Sequence, residues 1–310
     1  MKIHSDTLEL GSLHPVTTMG MFDGLHLGHR MLLNRLKALS EERKKPSLVI
    51  SFWPHPRMVL NPNDQSLFYL NTLDEKIALL ESIGIDHLLV LGFNREFASQ
   101  TACEFIQSFL IEKLKIDYLL VGYNHHFGKD RMGSFNDLKQ CSGKDSFGIE
   151  KYDAYQWEGM EVSSTLVRKH LQEGNIGLAN QLLGYAYPLS GRIVPGNQIG
   201  QQIGFPTANL EPDDPRKLIP ATGVYAIEAA IEHQTYQGML NIGYRPTIEE
   251  TEKTIRIEAH LIDFNRTAYG ESIQIRFREK IRDEKRFDNL NQLREQLLID
   301  LDTVKKQIIN

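Results

Sequence analysis

Cysteine is scarce in this chain: two in 310 residues, Cys103 and Cys141, far apart and without metal-ligand spacing. They read as free thiols in a reducing cytoplasm, which excludes a disulfide scaffold and a thiolate metal cluster. No apolar run reaches the roughly 18 residues a membrane span needs. The start, Met-Lys-Ile-His-Ser-Asp, is followed by no apolar run of the kind a signal peptide carries. A basic excess is also missing. Net charge is −5, and neither half of the chain is positive, which argues against a nucleic-acid platform. Internal repeats and low-complexity tracts are absent. What is present is ordinary in amount, 41% apolar and 24% charged, as in a soluble protein long enough for two domains.

The first 184 residues alternate strand and helix. A β-prone run, 16–19, leads through Gly20-Met21-Phe22-Asp23-Gly24-Leu25-His26-Leu27-Gly28-His29 into an amphipathic helix with Met31, Leu32, Leu36 and Leu39 at helical spacing. Apolar runs at 48–52, 87–91 and 118–121 read as buried parallel strands. Helices are predicted at 73–83 and from Thr101, a cap, to 114. Trp53-Pro54-His55-Pro56 ends the second strand, its two prolines forbidding helix and ladder alike. This rhythm implies a parallel α/β sheet with right-handed crossovers, whose ligands bind beyond the strands' carboxyl ends. The His26/His29 turn, the Pro54–Pro56 turn and the loop after Gly122 all fall on that edge. Two short helices follow, ending at Gly174 and Gly184.

From Tyr185 the rhythm stops. Short strands at 189–194, 223–231, 236–242, 254–264 and 272–277 predict a small antiparallel barrel. The last segment, 290–309, reads as an amphipathic helix packed on the barrel, with Leu290, Leu293, Leu297, Leu301 and Val304 on one stripe. The predicted fold is thus an α/β Rossmann-like domain, 1–184, followed by a β-barrel domain with a C-terminal helix, 185–310.

Several segments carry chemistry. His26 and His29 flank Gly28 where a strand turns into a helix, so backbone N–H groups, the helix dipole and two imidazoles can address one phosphate chain. A motif this short also fits a polar loop with two solvated histidines. The loop 121–133 offers Asn124 for a polar ligand edge and Arg131 as a fixed cation; it also fits a glycine-rich surface loop. Ser163, Ser164 and Thr165 at a helix start, with Arg168 one turn in, form a second anion site or simply a capped helix. Gly196, Gly200 and Gly204 make a flexible loop able to wrap phosphates, followed by Pro206. Thr207 and Asn209 place two neutral oxygens on one face of an extended strand, which suits Mg²⁺ bound partly through substrate phosphate. In Ile255-Arg256-Ile257-Glu258-Ala259-His260-Leu261, alternation sets Arg256, Glu258 and His260 on one face. A carboxylate between two cations stays ionised and can take a proton from a hydroxyl. On the residues alone, a solvated strand face is the more economical reading.

Together, in this order, the segments 20–29, 52–56, 121–133, 163–168, 204–209 and 257–261 resemble the bacterial bifunctional riboflavin kinase/FMN adenylyltransferases, also called FAD synthetases. The resemblance spans nearly the whole chain, with 241–247 and 281–287 matching further family segments. It implies adenylylation of FMN to FAD in 1–184 and phosphorylation of riboflavin to FMN in 185–310, with ATP and Mg²⁺. It implies that His26 and His29 hold the ATP phosphates, with Gly20, Met21, Phe22, Asp23, Gly28, Asn124, Arg131, Ser163, Ser164, Thr165 and Arg168 in the same site. It implies that Gly196, Gly200, Gly204 and Pro206 bind kinase ATP, that Thr207 and Asn209 bind Mg²⁺, that Glu258 is the base, and that Arg282 lies on the flavin side. Partners are small molecules (riboflavin, FMN and ATP), with no nucleic acid or membrane; a weak homo-oligomer is compatible. Three positions depart from the pattern. Gln201-Gln202 stands where a basic residue is frequent, Met21 where a smaller or polar one is usual, and Asn124-His125-His126-Phe127 varies an acidic-aromatic segment. A non-enzymatic flavin sensor and a nucleotidylyltransferase for another phosphate acceptor are the competing readings.

Overall fold

The computed structural model describes all residues except 65, 124–126, 129–132, 144–145, 197–198, 245–254 and 309–310. The chain divides into two compact units, Met1–Ser164 and Thr165–Asn310.

In the first unit, β1 (Lys2–His4), β2 (Val16–Met19), β3 (Ser47–Trp53), β4 (His87–Gly92), β5 (Tyr118–Gly122) and β6 (Gly148–Tyr152) form one sheet. Its order is β1-β4-β3-β2-β5-β6, parallel at every pairing. The chain moves outward from β2 to β3 and β4, then returns to β2's other side with β5. That reversal makes the carboxyl ends of β2 and β5 the natural ligand crevice. Both faces are covered. Leu48 and Ile50 pack with Phe105, Ile106 and Leu110, while Val49 packs with Leu33 and Leu36 on the other side. Double coverage is why these strands read as unbroken apolar runs.

The covering helices are α1 (Leu27–Arg43), α2 (Pro56–Leu60), α3 (Leu73–Ile83), α4 (Arg95–Ser99), α5 (Ala102–Glu104) and α6 (Phe135–Ser142). α3 opens with a reciprocal cap: Thr72 Oγ1 accepts from the Glu75 N–H, and Glu75 Oε2 from the Thr72 N–H. Thr101 caps α5 in the same way, and the helix continues as wide π turns over Phe105–Lys113. Three local expectations are corrected. Pro56 does not forbid a helix; it opens α2, where a missing N–H costs nothing. Met31 is exposed, and Leu33 takes the buried place. Cys103 and Cys141 are not free thiols but are joined, because α5 and α6 pack together and bring their Cα atoms to 5.2 Å. Strands β1 and β6, helix α6 and the hairpin β7 (Gln156–Trp157)/β8 (Met160–Glu161) were not foreseen; the strands are short and half-polar.

Helix α7 (Ser164–Gln172) begins at the division, and α8 (Ile176–Leu183) follows. The second unit is a closed barrel of β9 (Pro188–Val194), β10 (Ala208–Pro212), β11 (Gly223–Ile231), β12 (Gln234–Tyr244), β13 (Ile255–Leu261) and β14 (Ser272–Arg282). The order is β10-β13-β12-β11-β14-β9, antiparallel throughout. Tyr225, Ile227, Leu240, Ile242, Ile257, Ala259, Ile275 and Phe277 are buried at alternate strand positions. The short helix α9 (Ile199–Gln202) lies between β9 and β10, so the segment around Gly200 is a folded turn rather than the expected flexible loop. The last helix, α10 (Leu290–Ile308), sets Leu297, Leu301 and Val304 against Phe205, Val224, Ala226 and Met239. Leu290, at its other end, is exposed, so only part of the predicted stripe is buried. No helix among the described residues is long and apolar enough to cross a membrane.

Candidate active sites

In the first unit the sequence-predicted turn sits at the carboxyl end of β2. His26 is the N-cap of α1, and its Nδ1 accepts from the His29 N–H at 3.4 Å. That bond leaves a hydrogen on Nε2 in the neutral ring. The two imidazoles stack, centroids 3.7 Å apart, and Phe22 meets His29 edge-on. Gly28 makes the stack possible: a Cβ there would lie 3.3 Å from the His26 ring. Burial, then the neighbouring His26 and Lys76, push the His29 imidazole well below its usual range. His29 is therefore neutral at pH 7, and its buried Nδ1 has no hydrogen-bond partner. Neutral His29 can donate to a phosphate oxygen without carrying charge, with the His26 ring stacked beside it.

The turn itself is strained. Phe22 and Leu25 have φ of +47° and +34°, and Gly24 +84°; for side-chain-bearing residues this costs about 1–3 kcal/mol each. Braces hold it. Asp23 is buried, and its Oδ1 accepts from the Leu70 and Asn71 N–H groups at 3.0 and 3.3 Å. Ser164 Oγ donates to the Asp23 carbonyl at 2.7 Å. Lys76 Nζ donates to the Met21 carbonyl at 2.8 Å and to Ser51 Oγ at 3.3 Å. Two predicted ligand residues thus brace the turn with these contacts: Asp23 ties it to the backbone of Leu70 and Asn71, and Ser164 bonds the turn's own backbone. Lys76 and Ser51 were missed by sequence reasoning. The available signal was a lysine on the apolar side of α3, between Leu73 and Leu80, and a serine inside an apolar strand.

Of the other predicted residues, Gly20 follows β2 directly, and its N–H donates to the Ile50 carbonyl. Ser163 is half-buried and Thr165 exposed, with Arg168 half-buried on α7. Asn124 and Arg131 lie outside the described residues.

In the second unit, strand register assembles a polar row. Asn209 on β10 and Asn241 on β12 both pair with Glu258 on β13, so all three share one face. This is the barrel's outer face, which α10 and the turn before β10 partly cover through Phe205, Met239 and Val304. Asn209 is buried, and Glu258 is 25% exposed. The Arg256 Nε–H bridges the row, 3.1 Å from Glu258 Oε1 and 3.3 Å from Asn209 Oδ1. His260 Nδ1 lies 2.9 Å from the Pro206 carbonyl oxygen, and burial lowers its pKa. Thr207 stands just before β10, half-buried. A Cβ at Gly196 would fall 1.8 Å from Asn209 Nδ2, so only glycine lets that backbone seat the amide. In the turn before β10, the Phe205 N–H donates to the Gly200 carbonyl at 2.8 Å, and Gly204 takes φ +83°. Arg282 on β14 continues the line of the row, across Val224 from Asn241. Its guanidinium grips Asp300 of α10 with bonds of 2.8–3.0 Å and lies over the Phe287 ring. Among the described residues, no cluster of three or more His, Cys, Asp or Glu side chains could by itself hold a metal.

Residues 12–166 match the family model described as FAD synthetase, and 183–308 the one described as riboflavin kinase. The bifunctional riboflavin kinase/FMN adenylyltransferase of Escherichia coli (strain K12) is 38% identical over 286 residues, 92% of this chain and 90% of that one. The chain belongs to the bifunctional riboflavin kinase/FMN adenylyltransferase family. The family member from Bacillus subtilis (strain 168) is 34% identical over 284 residues, 91% of this chain and 89% of that one. A solved structure named as a macrolide-efflux protein from Streptococcus pneumoniae has a TM-score of 0.89 at 30% identity, covering 98% of each chain. The chain is thus an enzyme with riboflavin kinase and FMN adenylyltransferase activities, using ATP and yielding FMN and FAD. Membership in this family sets aside the flavin-sensor and other-acceptor readings.

Proposed function

We propose that the two reactions run at the two sites above, adenylylation at the His26/His29 turn and riboflavin phosphorylation along the Asn209–Glu258 row. The functional limits we assign are 1–184 and 185–310; the family models, ending at 166 and starting at 183, are compatible with a cut after the short helices. The observation that carries the adenylylation assignment is the stacked imidazole pair at the N-terminus of α1, on the edge where an open parallel sheet takes its ligand. The FMN phosphate is already a nucleophile, so attack on the α-phosphate of ATP needs no protein nucleophile. As the bond to pyrophosphate breaks, negative charge grows on the leaving oxygens. His26 and His29 donate hydrogen bonds there, together with the N–H groups of the first turn of α1. Ser163, Thr165 and Arg168 complete the ligand set we assign, with Asn124 and Arg131, which lie outside the described residues.

At the barrel we assign Glu258 as the base that accepts the proton of the riboflavin 5′-hydroxyl as its oxygen attacks the γ-phosphate of ATP; the bond from that phosphorus to the β,γ-bridging oxygen breaks and ADP leaves. Arg256 aims that carboxylate through their ion pair. Thr207 and Asn209 suit Mg²⁺: neutral oxygens two residues apart, one just before β10 and one in it, with the Asn209 amide seated against Gly196. The ion, when bound with ATP, would neutralise charge on the phosphates. Gly196, Gly200, Gly204 and Pro206 frame the ATP side. Arg282, held by Asp300, fixes α10 beside the row, and its flavin role would be exerted from that anchored position. We assign the enzyme to the cytoplasm, where ATP for both steps is available. The test is separation of function. His26→Ala should stop FAD formation and spare FMN formation, and Glu258→Ala should do the reverse when FMN is supplied. Equal damage to both steps in a folded variant would overturn the two-site assignment.

A further inference from the structure

The strained turn at residues 21–25 is held by three side chains, and one of them is out of proportion to the task. Ser164 and Asp23 brace it with a neutral hydroxyl and a carboxylate that accepts backbone N–H groups. The third brace is an ammonium. Lys76 is 1% exposed, its Nζ bonded to two uncharged oxygens, the Met21 carbonyl and Ser51 Oγ. The Trp53 ring covers it at 5.7 Å, and among the described residues no carboxylate lies within 4.0 Å of it. Holding one carbonyl needs only a neutral donor. A buried cation without an ion-pair partner is costly, and burial drives this one down to about 8. The fold nevertheless keeps it beneath the turn that carries His26 and His29, where the neutral His29 ring brings no positive charge of its own to a triphosphate.

We propose that Lys76 is a positioning residue for adenylylation: it pins the Met21 carbonyl, thereby fixing the turn that presents His26 and His29, and at neutral pH sets a positive charge under the ATP phosphates. The proposal rests on the reading of that turn as the adenylylation site. It separates Lys76 from an ordinary core residue, because the feature that costs stability is the one that would serve the ligand.

The test compares wild type, Lys76→Met and His26→Ala in the full-length enzyme. FAD formation from FMN is followed with kcat and KM for ATP and for FMN resolved. Riboflavin phosphorylation is measured alongside, and folding is read from tryptophan fluorescence in urea; both tryptophans, Trp53 and Trp157, belong to the first unit. For Lys76→Met we expect kcat/KM for ATP in FAD formation to fall about 10²-fold, the cost of a slightly misplaced site. KM for ATP should rise more than KM for FMN. Riboflavin phosphorylation and the folded baseline should stay as in wild type. A folded Lys76→Met with full FAD formation, beside an inactive His26→Ala, would overturn the role of Lys76 alone. Full FAD formation in His26→Ala would overturn the site reading and the proposal with it. If Lys76→Met did not fold, the wild-type pH profile decides. The charged and titratable groups seen to interact with Lys76 among the described residues are a carboxylate, Asp23, and an imidazole, His29, neither a type that titrates near 8. Loss of the ammonium should therefore give FAD formation an alkaline limb near pH 8 that riboflavin phosphorylation lacks. A flat profile from pH 7 to 9 would overturn the proposal.

Discussion

Replacing Lys76 with methionine should change how the first unit's stability responds to pH. Burial lowers the Lys76 ammonium from 10.5 to about 8 in the folded protein, while the unfolded chain keeps the ordinary value. Between these limits the unfolded chain binds a proton that the folded one has released. Wild-type stability therefore rises with pH across this window, and the gain is absent below it. A separation of about 2.5 units corresponds to about 3 kcal/mol, accumulated at no more than about 1.4 kcal/mol per pH unit. Methionine carries no proton to lose. Its own offset, chiefly the lost donor to Met21 and Ser51, costs about 1–3 kcal/mol and does not vary with pH. The stability of wild type relative to Lys76→Met should thus climb by about 3 kcal/mol between pH 7.5 and 10.5. At a urea slope of roughly 2 kcal/mol per molar, that is about 1.5 M in the midpoint gap. Urea titrations followed by tryptophan fluorescence at several pH values measure it on the first unit. A gap that stays constant from pH 7.5 to 10.5 would show that Lys76 titrates as an exposed lysine, and the argument from its burial would fail.

Other consequences follow from single contacts. His26→Ala removes the donor we assign to the leaving group and should lower FAD formation about 10²–10³-fold, with riboflavin phosphorylation unchanged in the same preparation. Glu258→Ala should abolish most FMN formation while supplied FMN is still converted to FAD, as flavin chromatography would register. Gly28→Ala places a methyl 3.3 Å from the His26 ring and should reduce FAD formation by roughly tenfold or more through a displaced imidazole; unchanged kinetics would mean that the stack is dispensable. Asp300→Ala strands the Arg282 guanidinium, which is only 13% exposed, and should cost the barrel about 3 kcal/mol, seen as a lower thermal midpoint by circular dichroism together with weaker riboflavin phosphorylation.

The fold was legible where local chemistry and tertiary packing agree. The runs at 48–52 and 118–121 are apolar at every position because the sheet is covered on both faces, and they appear as β3 and β5. The limits of α3 and α8 follow from Thr72 at one end and from Gly84 and Gly184 at the other. What was missed depends on partners remote in sequence. β1 is three residues long and exists through its pairing with β4. Cys103 and Cys141 meet because α5 and α6 pack together, which no spacing discloses. The site divides in the same way. His26, His29 and Gly28 announce themselves through a strand-to-helix turn. Glu258 on its own looked like a solvated strand residue; its row with Asn209 and Asn241 arises from register across three strands. Lys76 escaped notice because its partner is a backbone carbonyl 55 positions away.

The central claim is that one chain holds two independent transferase sites. Chromatography of wild type, His26→Ala and Glu258→Ala with riboflavin, ATP and Mg²⁺, following the flavins over time, tests it most directly. Wild type should form FMN and then FAD. His26→Ala should accumulate FMN, and Glu258→Ala should leave riboflavin untouched yet convert added FMN to FAD. Loss of both products in either folded variant, or FAD formation by His26→Ala at the wild-type rate, would contradict the account.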